Sequence, residues 1–535
     1  MKRGLLCLVI AVALLIGCGE EVSVPAKKHL KVCSPFEPYS LDPQKISSDV
    51  DYKIIQSVFE GLIIPDPETM NPLPGVAERW VVSQDGRVYD FFLRDNATWS
   101  DGAPVVADDF VFAANRALSS QFACATVELF FNVKNAKDFF YRKIRDFSKV
   151  GIRAVNSRTL RIELEKKSPY FFAILMHPCW SPLNKNVVES LKQYSKSPYP
   201  SDAFAMQIIC NGPFVPSERV PGICVLLRKN DSYWDADNVL LDKITFSFCA
   251  NQASNIKRFQ QDEISVLEMQ AEADDAVKAC HENERLIIST FPECFALAFN
   301  MANPVFHDRR VRVALSVAIN REKLLSNIRK STGLAAYGFV PAMDNVSANE
   351  ASFKRDVELA KKLFAEAGYG PSKEFPKVRI LCNTLDNDAD ILILEQVVDD
   401  WHEAFGIDCI IEPKDLDYFL DWRRRSKFDI VKILYGGTYC DPVLMIGAFV
   451  SWETKNYGRW DDHSYDDIVT SIDQVYDELA RLQLIGEAKK YLAAEMPIIP
   501  LFFKSSSYLL KKDVRGWFKN PLNMHPTKFV YFVKP

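Results

Sequence analysis

No stretch of this chain is long enough to cross a membrane as a helix. The longest apolar run, Leu5–Ile16, has twelve residues, and a spanning helix needs about 20 to cover a hydrocarbon core of ~30 Å. Positive charge is not in excess either. The formal net charge is −5, which lacks the electrostatic footprint of a nucleic-acid binder. None of the thirteen cysteines is spaced as C-x-x-C, so zinc-ribbon and thioredoxin-like readings fail. H-E-x-x-H is absent, and the seven histidines are scattered at 29, 177, 281, 307, 402, 463 and 525, which argues against a metallohydrolase. G-x-S-x-G and the P-loop G-K-[ST] are also missing, and with them the nucleophile elbow and the phosphate cradle. Ser254-Asn255-Ile256-Lys257 fits S-x-x-K, but its companions K-T-G and S-D-N are absent. Asp386, Asp388 and Asp390 imitate the start of an EF-hand. The sixth place, which needs Gly, is Ile391, and the twelfth is Val397 rather than Glu, so that match fails too. Nothing in the sequence predicts catalysis, a metal or a cofactor.

What remains is a globular composition, 48% hydrophobic and 25% charged, in a chain long enough for two or three domains. Lys2 and Arg3 precede the short apolar run, and Leu15-Ile16-Gly17-Cys18 ends it. This resembles a bacterial lipoprotein signal, with 1–17 removed and Cys18 acylated. Acyl chains on Cys18 would hold the protein at a membrane surface, each buried CH2 contributing ~0.8 kcal/mol. Residues 18–30 then read as a tether. Beyond Cys18 eleven cysteines remain, an odd number, expected to be mostly buried thiols. Cys210 and Cys224 flank a plausible hairpin and form one candidate disulfide.

The most informative stretch is Pro74–Arg116. Val88–Arg94 is rich in β-branched and aromatic residues and predicts a strand. Asp85-Gly86 and Ser100-Asp101-Gly102 are turn chemistry. Asp108 and Asp109 stand where a helix N-terminus favours carboxylates. Leu30–Cys33 predicts a first strand, Ile54–Leu62 a helix, and Arg158–Leu164 and Ile244–Phe248 alternating strands. From Phe295 onward strands and helices alternate. The strands are Phe295–Asn300, Val378–Cys382, Ile407–Ile411 and Phe428–Leu434. Helices open at Asp308 and cover Asp356–Ala367, Ile391–Phe405 and Leu416–Arg425, with Gly368 and Gly406 as caps. That alternation implies parallel pairing, with ligands at the carboxyl ends of strands. The segment Tyr435–Pro442 is therefore the expected site.

The run Gly75-Val76-Ala77-Glu78, Trp80, Asp85-Gly86, Leu93-Arg94, Trp99-Ser100-Asp101-Gly102, Pro104, Asp108, Phe110 and Arg116 closely resembles the signature of bacterial extracellular solute-binding proteins of the peptide and nickel transporter class, family 5. Phe59-Glu60-Gly61-Leu62, Leu227–Asn230 with Tyr233-Trp234, and Ile498–Phe503 extend the likeness over nearly the whole chain. It looks most like the periplasmic oligopeptide-binding lipoproteins that serve ABC importers. The resemblance implies an α/β, cluster C-like Venus-flytrap fold of periplasmic-binding-protein type, in which two lobes hinge around the ligand and an additional domain is inserted. The expected division puts 31–59, 184–292 and 505–535 in lobe I, 60–183 in the inserted domain, and 293–504 in the other lobe. The implied partners are a peptide ligand, an ABC permease with its ATPase subunits, and a membrane through the lipid. The implied place is the periplasm, the implied state a monomer. Other readings on the same fold are a receptor for cell-wall-derived peptides, dipeptides or another small solute, and a surface-displayed protein without transport.

The family holds the peptide amine with an Asp four residues before a Pro; counted back from Pro442, that position is Thr438. Leaving one member of a buried ion pair alone typically costs ~3–5 kcal/mol, so another acid, a ligand without a free amine there or a different binding register is implied. Asp49 and Asp441 are the candidates, although Asp441 also suits the cap of a turn before Pro442. By the resemblance, Ser47 and Asp49 line the peptide's first positions. Lys432 and Arg423 fall on Arg residues that meet its carboxylate, and Tyr435 lies beside the ligand. A family His aligns near Asp388. Gly436, next to Gly437, replaces a Cys that in relatives bonds the position of Cys294, so Cys294 is either free or paired with Cys440.

Overall fold

The computed structural model describes residues 28–46, 48–122, 124–194, 208–269, 284–329, 333–341, 354–370, 373–383, 388–437, 439, 441–475 and 477–533. Cys18, Ser47, Thr438 and Cys440 lie outside the described residues, as does the whole of 1–27.

The first strand, β1 (His29–Ser34), buries Leu30 and Val32 on one face in the alternation a strand requires. Helix α1 follows at Asp49–Val58, not at Ile54–Leu62. Its start is set by a reciprocal capping box. Ser48 Oγ accepts the Asp51 amide at 3.3 Å, and Asp51 accepts the Ser48 amide at 3.1 Å. Its end is set by packing. The Gly212 amide donates to the Val58 carbonyl at 2.9 Å, and a Cβ on Gly212 would lie 2.5 Å from the Val58 carbonyl carbon. Only glycine allows that approach.

A hairpin of β2 (Ile63–Pro65) and β3 (Pro72–Pro74) leads into a separate antiparallel sheet. Its strands are β4 (Ala77–Val82), β5 (Val88–Leu93), β6 (Ile152–Asn156) and β7 (Thr159–Glu163), in the order β4-β5-β7-β6. Tyr89, Phe91 and Leu93 of β5 point into the core. Helix α2 (Ala107–Leu118) starts where its acids demand: Asp109 Oδ2 accepts the Val106 amide at 2.9 Å and the Trp99 indole N–H at 3.2 Å. The signature stretch is thus one packed unit around buried Trp99 and Phe110.

All the remaining long strands join one large mixed sheet. They are β8 (Phe214–Val220), β9 (Cys224–Lys229), β10 (Lys243–Phe248), β11 (Val266–Met269), β12 (Glu284–Phe299), β13 (Leu334–Ala335), β14 (Val378–Asn383), β15 (Cys409–Lys414), β16 (Ile430–Gly436) and β17 (Ile498–Lys511). With β1, the order is β15-β14-β16-β12-β17-β11-β1-β10-β9-β8, and β13 adds to β17. The expected parallel pairing holds for β14 with β15 and with β16. It fails at the next step, where β16 and β17 both run antiparallel to β12. Strand β12 also begins eleven residues before the expected Phe295. It and β17 are 16 and 14 residues long, and together they join the two α/β lobes.

In the C-terminal lobe β12 alternates between two cores. Phe295, Leu297 and Phe299 pack under helices α3 (Arg309–Ala318), α4 (Val357–Glu366) and α5 (Asp388–Phe405). Cys294, Ala296 and Ala298 face α6 (Leu416–Arg424), α7 (Pro442–Ile446), α8 (His463–Ile472) and α9 (Glu478–Glu495). Asp308 caps α3 and Asp356 caps α4, while Gly368 and Gly406 take positive φ just past α4 and α5. Among the described residues Cys210 and Cys224 are both free thiols. The Cys210–Cys224 pairing is therefore corrected: Cys224 faces Val220 at the turn end of the β8–β9 ladder, while Cys210 precedes Phe214 at the other end, where Phe214 faces Lys229. The described Cys294 is buried and free as well.

Candidate functional site at the strand junction

The register of β12 on β17 shifts twice, between Thr290 and Cys294 and between Phe295 and Ala296, and the first shift is the wider. Thr290 faces Ser505 and Cys294 faces Phe503, so β12 advances four residues while β17 advances two. Phe291-Pro292-Glu293 stand against Lys504 alone and form a bulge. Pro292 has no amide to give to a ladder, and a bulge turns side chains out of the regular alternation. Glu293 and Phe291 consequently face Lys504 across the opening.

A cavity with about 980 Å3 of open space lies there. Its walls come from the bulge, the first turn of α1 (Ser48, Asp49, Tyr52), Gly437 after β16, Lys504 of β17 and the loop Pro521–Met524. The Lys504 ammonium lies 3.3 Å from Glu293 Oε2 and 3.9 Å from Asp49 Oδ2, and 5.3 Å from the centre of the Phe291 ring. Two carboxylates and one ammonium leave one net negative charge. The α1 N-terminus offsets part of it and favours a carboxylate at Asp49.

Tyr52 supplies a neutral donor. His177 takes the Cys179 amide on Nδ1 at 3.1 Å, and burial pushes its pKa down to about 3. The neutral ring therefore carries its proton on Nε2 and donates it to the Tyr52 oxygen. Burial first, then the charges of Cys179, Asp49, Glu293 and Glu128, push the Tyr52 hydroxyl well above its ordinary range. Its own hydrogen stays in place for an acceptor.

The expected site residues fall in different places. Asp49 and Gly437 line the cavity. Gly436 ends β16 opposite Glu293 at φ +146°, and a Cβ there would lie 2.0 Å from the Pro292 carbonyl oxygen. The position leaves no room for the family's cysteine. Gly437 donates its amide to the same carbonyl at 3.1 Å. Tyr435, expected beside the ligand, is instead buried: its hydroxyl donates to the Phe339 carbonyl at 2.7 Å and its ring meets Phe449 edge-on. Period-two alternation turns it to the face opposite Leu434. Asp441, considered as an amine partner, is committed elsewhere. It accepts the Val443 amide at 2.9 Å as the cap of α7, and Arg481 Nη2 donates to its two oxygens at 2.7 and 2.9 Å. Lys432 lies 5.0 Å from the centre of the Phe295 ring. The Arg423 guanidinium lies over Tyr457 at 4.2 Å. Neither lines the cavity at the bulge. Sequence reasoning missed Glu293, Lys504 and Tyr52. The one visible signal was Lys504, the first charge after the apolar run Ile498–Phe503.

One other cluster has ligand-like spacing. Oxygens and nitrogen of Asp461, His463 and Asp466 lie within 4.8 Å of one another, but Asp466 already accepts the Ser451 amide and hydroxyl at 3.0 and 2.6 Å.

Two α/β lobes meeting at an open, charged cavity define a periplasmic-binding-protein fold, and the chain belongs to the bacterial extracellular solute-binding proteins, family 5, whose model matches residues 71–457. This is a family of solute binders. The chain is 28% identical to the periplasmic oligopeptide-binding protein OppA of Salmonella typhimurium over 525 residues, covering 96% of this chain and 94% of that one. It is 29% identical to the periplasmic murein peptide-binding protein MppA of Escherichia coli over 518 residues, covering 95% and 93%. Among solved structures it resembles the unliganded open form of MppA, a periplasmic murein tripeptide binding protein, with a TM-score of 0.80 at 26% identity, covering 95% and 98%.

Proposed function

We propose that this chain is the substrate-binding lipoprotein of an ABC importer. It captures oligopeptides between its lobes and delivers them to a membrane permease driven by ATPase subunits. Acylated Cys18 anchors it, as a monomer, in the periplasm. The observation that carries the reading is the open cavity beside the two long strands that both lobes share. Closure there needs only rotation about β12 and β17, which run through the lobe boundaries at 292/293 and 504/505. An extended peptide would pair its backbone with the protein as a strand does. Asp49 takes the peptide amine and with Ser47 lines its first positions, Gly436, Gly437 and Thr438 are further ligand-binding positions, and Lys432 and Arg423 take its carboxylate. No chemistry is done on the ligand.

The test is calorimetric titration of the protein, freed of co-purified ligand by unfolding and refolding. Pools of tri- to pentapeptides are offered with free or acetylated amino termini. Near-micromolar binding of free peptides and its loss on acetylation are expected; no binding of either pool overturns the reading. The likeness to MppA supports a second reading, in which the ligand is a murein-derived peptide. Binding of such a peptide alone would favour it.

A further inference from the structure

The geometry points to Lys504 as a resident counter-ion that a ligand's ammonium must displace, and to Glu293 together with Asp49 as the carboxylates that then hold the ligand. This rests on the peptide-binding reading and adds to it a residue that opposes binding.

The seat already holds a primary ammonium on a methylene. Its distances of 3.3 and 3.9 Å are therefore those a ligand's amino group would need. The two acids come from separate elements, the first turn of α1 and the β12 bulge, and converge only in the folded chain. The resident is easily replaced. The Asp49, Lys504 and Glu293 side chains are 45%, 41% and 31% exposed, and ion pairs that open to water contribute little. Lysine's flexible stem can swing its charge into solvent without moving β17. The net negative charge disfavours a ligand carboxylate in this place and favours a cation. Tyr52, with its oxygen already accepting from His177 and its hydrogen available, suits the carbonyl next to that amine.

A ligand contact and a competitor give opposite signs on removal. In Lys504→Met, a competitor's loss tightens free-amine peptides by about threefold to tenfold, leaves acetylated peptides unchanged, and steepens the salt dependence of binding. Glu293→Gln weakens free-amine peptides by about tenfold or more. Lys504→Gln, which keeps a polar group on the strand, should follow Lys504→Met. Weaker or unchanged binding of free-amine peptides in both Lys504 variants overturns the proposal while wild-type binding leaves the peptide reading intact. A wild-type protein that binds neither pool overturns the peptide reading, and the proposal falls with it.

Discussion

Helix α1 and strand β17 both contribute to two polar clusters, through Lys53 and Tyr508 at one and Asp49 and Lys504 at the other, and the clusters have opposite characters. At the inner end, Lys53 Nζ lies 2.8 Å from Glu268 Oε2, with side chains 1% and 11% exposed. Ser34 and Tyr508 hydroxyls donate to the same carboxylate at 2.6 and 3.3 Å. Burial alone would lower the Lys53 pKa, but the Glu268 charge overrides it and the ammonium is held firmly. At the outer end a lysine again meets carboxylates, but Lys504 comes from β17, Asp49 from α1 and Glu293 from β12, with water on one side. The difference teaches that residue identity does not separate a structural ion pair from a binding seat. Saturation and burial do: the inner carboxylate has both oxygens occupied, and the outer pair shares one solvent-facing cation.

The comparison breaks most directly at its inner end. Lys53→Met strands a buried carboxylate and should cost ~3–5 kcal/mol in urea unfolding. Lys504→Met should cost less than about 1 kcal/mol. Equal costs would erase the distinction. Next, Asp441→Ala removes both the α7 cap and the partner of Arg481, a loss of about 2–4 kcal/mol with peptide affinity retained. Asp49→Ala should do the reverse, lowering affinity about tenfold with a stability change under about 1 kcal/mol. Gly436→Ala forces a side chain at φ +146° against the Pro292 carbonyl, which should cost about 1–3 kcal/mol and also weaken binding, because Glu293 follows Pro292 in the bulge.

A further effect is read against pH. The folded pKa of His177, about 3, lies below its ordinary 6.5 because the ring is buried. The unfolded chain then binds the extra proton first as pH falls. The contribution to stability is full above pH 6.5 and is lost as pH drops toward 3. His177→Gln should flatten the slope of stability between pH 6 and 4 by about 1.4 kcal/mol per pH unit, measured by denaturation at a series of pH values.

Much of the scaffold was legible in local chemistry. Asp308 and Asp356 cap helices as their place before apolar runs implies, and Val88–Leu93 alternates as written. The Asp441-Pro442 pair also reads locally as a helix start. One local reading misled, and so did one carried by the family resemblance. The apolar run Ile54–Leu62 suggested a helix that in fact begins at Asp49, because a capping box opening six residues upstream, at Ser48, outweighs the density of apolar residues. Tyr435 looked like a site aromatic, but the side of the sheet it faces depends on which strand β16 joins.

Caps, turns and side-chain periodicity act over a few residues, so the kind of elements, most of their ends and the family likeness are written in the residues alone. The cavity and its charges exist only once distant segments have packed together. Asp49, Glu293 and Lys504 are more than two hundred residues apart in the chain. What brings them together is the mismatch of four residues of β12 against two of β17, and register between distant strands has no local signature to read.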